Sequence, residues 1–294
     1  MVIRSVAVQK KRFILFMLAP ALIMLVLFSI YPFIVNLINA TSHYNFTEPN
    51  NRYFVGLENF VDLLKDKIFW QALYQTLYYV FGSVFLEFFL GFGVAYLLLD
   101  NFKGRDVFRT LYILPLGATP IAISLVWKIM LNPDLGIIPY FLKIIGFGKL
   151  DLLGNIKTVI PSLIIVDAWY WTPFMFLIFS AGLMAMPSEP FEAADIDGAT
   201  PFKKLVYITF PLLKPLIIVA VLFRTIDAFR VFDTIFVLTG GGPGHFSETL
   251  NLLTYREAFR FMHISYASTI AIFMLIVLIS ISSVTIKFFK GLEI

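Results

Sequence analysis

The chain has 294 residues, 59% hydrophobic and 14% charged, with a mean hydropathy of +0.85, whereas soluble proteins carry about a quarter charged residues. Its net charge of +4 is scattered over the ends of apolar segments without a long basic run, which argues against a nucleic-acid partner. With no cysteine, a disulfide framework, a thiolate metal site and a cysteine nucleophile are all excluded.

The apolar residues come in long blocks and not at the period of a soluble helix or strand, which predicts one all-α, polytopic membrane domain in contact with lipid. Lys10, Lys11 and Arg12 precede the first block, residues 13–35, which covers about 33 Å as a helix. It is too long for a signal-peptide core and no small-x-small cleavage site follows, so it reads as a retained first helix. Further blocks at 73–99, 107–131, 158–184, 211–238 and 267–289 make six predicted transmembrane helices. Lys103 and Arg105 lie between the second and third helices, Lys203 and Lys204 between the fourth and fifth, and Lys287 and Lys290 at the end. Together with the basic N-terminal flank they predict that both termini are cytoplasmic. Three outer segments, 39–71, 132–157 and 239–266, are expected to hold short surface helices.

The predicted cytoplasmic side has one long polar feature between helices, residues 187–210. Ser188 can cap a short helix that has Pro190 and acids in its first turn and ends at Gly198. Thr200 and Pro201 then start a second helix with Phe202, Leu205 and Val206 on its apolar face, before Pro211 opens the fifth crossing. Ala193 and Ala194 are small enough to admit a protein surface, while Phe191 and Ile196 are apolar anchors with no lipid to meet. The elbow reads as a docking element.

Here the residues resemble a family. Permease subunits of ABC importers carry a loop of Glu-Ala-Ala, three residues, Gly, nine residues and Ile-x-Leu-Pro. Glu192-Ala193-Ala194, Gly198 and Ile208-Thr209-Phe210-Pro211 match that spacing, with Phe210 in place of the usual Leu. Leu18-Ala19-Pro20-Ala21, Phe54-Val55-Gly56-Leu57-Glu58-Asn59-Phe60 and Leu238-Thr239-Gly240-Gly241-Gly242-Pro243-Gly244 are similar to phrases of the carbohydrate-uptake branch, the maltose and glycerol-phosphate type of first permease. The resemblance implies a type I importer permease fold in a prokaryotic cell membrane. It also implies a second homologous permease, a dimer of ATP-binding subunits, an extracellular solute-binding protein and a sugar, oligosaccharide or polyol cargo. Glu192, Ala193, Ala194, Asp195, Asp197 and Gly198 would then couple to the ATPase. ATP and Mg would be bound by that partner, leaving this chain without a cofactor and without enzymatic activity. In keeping with this, no Gly-x-x-x-x-Gly-Lys-Ser/Thr loop is present, and the Gly240–Gly244 cluster lacks the phosphate-facing lysine.

Inside the predicted fifth helix, Arg224, Asp227, Arg230 and Asp233 recur every three residues with neighbouring signs opposed. Each would cost about 2.5–3.5 kcal/mol at bilayer depth, so the four must face protein or a wet cavity. Two readings stand: ion pairs that fix packing, or a polar path in which Asp227, Arg230 and Asp233 meet sugar hydroxyls. Trp169 and Trp171, beside Asp167 in the fourth helix, can stack on a sugar face or simply pack. Glu87, followed by Gly91 and Gly93, reads as part of a close helix contact. His43, His245 and His263 lack ligand spacing, which argues against a metal site. A secondary transporter driven by an ion gradient, with Glu87 and the acids of the fifth helix as ion sites, is the alternative function.

Overall fold

A chain in lipid must satisfy its own backbone, so long apolar runs fold as helices. The structure, a computed structural model, describes residues 2–48, 50–148 and 150–290, with the side chains of 2–12, 15 and 288–290 excepted. The side chains of Lys10, Lys11, Arg12 and Lys290, which bear on the predicted orientation, lie outside the described set. Among the described residues, five helical runs are long and apolar enough to span a bilayer: Phe16–Ala40, Lys67–Leu97, Val159–Met184, Pro201–Phe229 and Ile264–Lys287. Arg105–Gly117 and Pro120–Met130 form a sixth if the bent pair counts as one span. By internal contacts the chain divides into Met1–Lys65 with Thr254–Met274, and Asp66–Leu253 with Leu275–Ile294.

In the first unit, α1 (Val2–Leu25) runs through a π-helical turn at Val26–Ile30 into α2 (Tyr31–Ala40). Its large apolar side chains, from Phe16 to Ile38, are exposed around the helix, the pattern of a span that meets lipid. Strands β1 (Ser42–His43) and β2 (Tyr53–Phe54) pair antiparallel, with Ser42 opposite Phe54, and α3 (Glu58–Lys65) follows. The Asn59 side chain donates to the Ala40 and Ser42 carbonyls, both at 2.9 Å, and so closes the C-terminal end of α2.

The second unit starts with α4 (Lys67–Leu97), capped by the Asp66 carboxylate, which accepts from the Ile68 N–H at 2.8 Å. That cap starts the helix six residues before the expected 73. Next come α5 (Arg105–Ile113), α6 (Pro120–Met130), α7 (Ile137–Ile144) and α8 (Val159–Met184). The helices α4 and α8 run parallel, with Phe88 and Phe92 against Phe179 at one level and Gly82 against Ile164 at another. At Gly91 a Cβ would lie 2.5 Å from the Met175 Cβ, so only glycine permits this approach.

After α8 come α9 (Glu189–Ile196), α10 (Pro201–Lys204), α11 (Phe210–Phe229), α12 (Asp233–Leu238) and α13 (Leu250–Tyr255). The last helix is α14 (Ile264–Lys290). Antiparallel to α4, α11 sets Phe210 on Phe92 at one end and Arg224 on Glu87 further along.

Three expectations need correction. The predicted third crossing, 107–131, is broken by 100° between α5 and α6. Pro115 sits in a 3-10 turn, Ala118 is extended, and Thr119 caps α6 ahead of Pro120. The predicted fifth crossing, 211–238, ends at Phe229, and α12 is a separate half-helix packed on α6, whose Lys128 Nζ donates to the Val237 carbonyl at 2.7 Å. Pro211 opens no new helix, because α10 continues into α11 through a π-helical turn at Leu205–Thr209, where the Phe210 N–H reaches the Leu205 carbonyl. That wider turn accommodates a proline that cannot donate to residue 207.

Candidate functional site

The elbow is built by α9 and its C-terminal turn. Glu189 and Glu192 lie in the first turn, where the helix dipole favours anions. Ser188 occupies the N-cap position, but its backbone is already helical and its side chain makes no capping bond, contrary to the expected cap. Thr200, in contrast, accepts from the Lys203 N–H at 3.4 Å. At the other end Gly198 has φ +69°, its N–H meets the Asp195 carbonyl at 3.1 Å, and the Ala199 N–H meets the Ala194 carbonyl at 2.8 Å. This is a Schellman turn, which needs a residue at ease in the left-handed region. A Cβ there would meet nothing within 4 Å, so the requirement for glycine is one of backbone conformation and not of space.

No residue of α9 is buried, and Ile196 at its tip is 88% exposed. Asp195 reaches across the turn to Lys204 at 2.6 Å, an ion pair that braces α9 against α10. The predicted coupling residues Glu192, Ala193, Ala194, Asp195, Asp197 and Gly198 thus share one short projecting helix and its cap, with Asp195 paired to Lys204 at the surface.

A second cluster lies where α4, α8 and α11 meet. Arg224, 1% exposed, donates from Nε and Nη2 to the two carboxylate oxygens of Glu87, each at 2.6 Å. The Nη2 also donates to Asp167 at 2.8 Å, and Nη1 donates to Asp227 at 2.6 Å. The face of the guanidinium lies 4.6 Å from the Trp171 ring centroid. Glu87 and Asp167 are buried, whereas the Asp227 side chain is 52% exposed. Arg224 therefore acts as an internal tie, and the pairing read along one helix is in fact a junction of three helices. Glu87, which the sequence reads as part of a close helix contact, is its bidentate partner. The signal available for it was a lone acid inside an apolar span, which needs a cation from another helix.

Beside the tie a cavity of about 220 Å³ is lined by Asp167, Tyr170, Trp171, Asp227, Arg230 and Asp233, among others. It draws together Trp171, Asp227, Arg230 and Asp233 of the predicted pathway set. Asp233 reaches it from the first turn of α12, and Arg230 from the cap of α11. Trp169 does not line it. Two positions from Trp171 is about 200° around a helix, and Trp169 stands edge-on to Trp127 at 5.7 Å in a separate apolar cavity. With carboxylates, a guanidinium and an aromatic face converging, the polar cavity suits a small polyhydroxyl ligand.

Residues 68–290 match the family model described as binding-protein-dependent transport system inner membrane component. The chain is 36% identical over 271 residues to the trehalose/maltose transport system permease protein MalF of Thermococcus litoralis, covering 92% of this chain and 91% of that protein. It is 32% identical over 280 residues to the trehalose transport system permease protein SugA of Mycobacterium tuberculosis, covering 95% and 89%. In fold it matches a chain of a bacterial ABC transporter involved in the import of the acidic polysaccharide alginate, with a TM-score of 0.84 at 22% identity, over 99% of this chain and all of that one. A family match across most of the chain, relatives aligned nearly end to end and a shared helical fold lead to one conclusion: the chain belongs to the inner membrane components of binding-protein-dependent transport systems, as an ABC importer permease subunit.

Proposed function

We propose that this permease imports a sugar, oligosaccharide or polyol, in company with a second homologous permease, a dimer of ATP-binding subunits and an extracellular solute-binding protein. The observation that carries the reading is α9, a capped helix with no buried residue, held out from the bundle by Gly198 and the Asp195–Lys204 pair. A helix so exposed and so firmly oriented suits a cleft on another protein. In this reading ATP and Mg are handled by that protein, and both termini and α9 lie in the cytoplasm. Closure of the nucleotide-bound dimer then favours one arrangement of α8 to α11, and the loaded binding protein favours the same arrangement from outside. The cavity beside Arg224 is where Trp171, Asp227, Arg230 and Asp233 meet the cargo. The relatives named for trehalose and maltose support a sugar-like cargo.

The test is uptake into proteoliposomes that carry the whole complex, supplied with the binding protein and the solute that co-purifies with it. ATP-dependent accumulation that disappears without the ATPase subunits is expected. Uptake driven by an ion gradient alone would overturn the proposal.

A further inference from the structure

Arg109 on α5 is a cation whose own chain leaves it short of partners. Its Nη2 donates to the Ser180 hydroxyl at 2.9 Å and to the Met184 sulfur at 3.3 Å, while its Nε is buried without any acceptor. Among the described residues no carboxylate pairs with it; the adjacent acid, Asp106, pairs with Arg105 at 3.6 Å. A thioether is a weak acceptor, and a partly buried guanidinium held only by a hydroxyl and a sulfur forgoes the charge-assisted bonds that normally offset its desolvation.

Arg109 lines a cavity of about 440 Å³ between α5 and the C-terminal part of α8, whose other walls include Ile113, Phe176, Leu177, Ala181 and Met184. One charged end and otherwise apolar walls make an amphipathic slot. It opens at the end of the bundle that carries α9, where Lys103 precedes α5 and Arg105 is its first residue. We propose that this slot binds an anionic phospholipid, with Arg109 and Ser180 holding the head-group phosphate and the apolar walls taking the start of an acyl chain. In the orientation proposed above, the slot faces the leaflet rich in anionic lipid, where basic pockets between membrane helices favour such head groups. Ser180 lies in the penultimate turn of α8 and Met184 is its last residue, five residues before α9 begins, so an occupied slot would brace the base of the elbow.

The test is native mass spectrometry of the purified complex in detergent, titrated with dioleoyl phosphatidylglycerol or dioleoyl phosphatidylcholine. The wild type is expected to prefer the anionic lipid, and Arg109→Gln to lose about five-fold in its binding. Arg109→Lys is expected to keep part of the preference, and Ala181→Trp to lose it by filling the slot with the cation in place. Intact mass in the same spectra reports assembly, so a variant that fails to assemble is not scored and Ala181→Trp then decides. Equal binding of phosphatidylglycerol by the wild type and both disruptive variants would overturn the proposal. So would its displacement by an equal concentration of inorganic phosphate, which would make this a site for free anions. None of these readouts depends on sugar transport, so the lipid site and the proposed cargo stand or fall separately.

Discussion

Arg224 holds three carboxylates with one guanidinium, at a place where water is scarce. Removing the cation leaves Glu87 and Asp167 buried and uncompensated, so Arg224→Met should cost about 3–5 kcal/mol, read as a lower thermal unfolding temperature of the purified complex. Asp227 differs from its neighbours because half of its side chain is open to the cavity. Asp227→Asn is expected to cost no more than about 1 kcal/mol and to slow uptake without reducing the amount of assembled complex, as a cargo contact would. Equal losses of assembly and uptake would return Asp227 to a purely packing role. At Gly198 the left-handed backbone makes Gly198→Ala cost about 1–2 kcal/mol locally, although nothing stands in the way of the methyl group. The expected readout is a fall in solute imported per ATP hydrolysed.

At the level of elements, α4 and α8 depend on a glycine where their backbones touch. Gly91→Leu should destabilise the bundle by about 1–3 kcal/mol through overpacking against Met175, whereas Gly93→Leu, with open space at its Cβ, should not. Unfolding of the two variants in detergent makes the comparison. The elbow tests differently. The Asp195–Lys204 pair is exposed on its acidic side, so Asp195→Ala should change stability by less than about 1 kcal/mol while loosening the set of α9 and lowering uptake.

Much of this was legible in the sequence. The span 158–184 was expected where Val159–Met184 is found, because an uninterrupted apolar run flanked by polar residues has few alternatives in lipid. The Gly198 stop and the Thr200 start were readable because glycine and a capping hydroxyl act through their own backbone. The bend after α5 was visible in Leu-Pro-Leu-Gly-Ala-Thr-Pro, residues 114–120, yet the hydropathy of the segment masked it. By contrast, the break at Arg230–Phe232 has neither proline nor glycine to announce it, and α12 is set by its packing on α6. The Glu87–Arg224 pair joins residues 137 apart, which no local pattern can reveal, and the separation of Trp169 from Trp171 follows from helical phase alone.

Across the whole molecule, the proposed orientation places α9 inside the cell and the segment before α8 outside. The native chain has no cysteine, so single cysteines report without background. Asn155→Cys is expected to react with a membrane-impermeant maleimide in intact cells, and Asp197→Cys only after the membrane is opened. The reverse pattern would invert the permease. The guanidinium where α4, α8 and α11 converge also sets how such a machine can move. Three rods riveted at the waist cannot fan apart there, so a thrust delivered at the foot of α8 swings them as a single lever. The give must come from joints beyond the rivet, at the kink ahead of Pro120 and the gap between Phe229 and Asp233, and spin labels on α4 and α11 near the rivet should keep their spacing through the entire cycle.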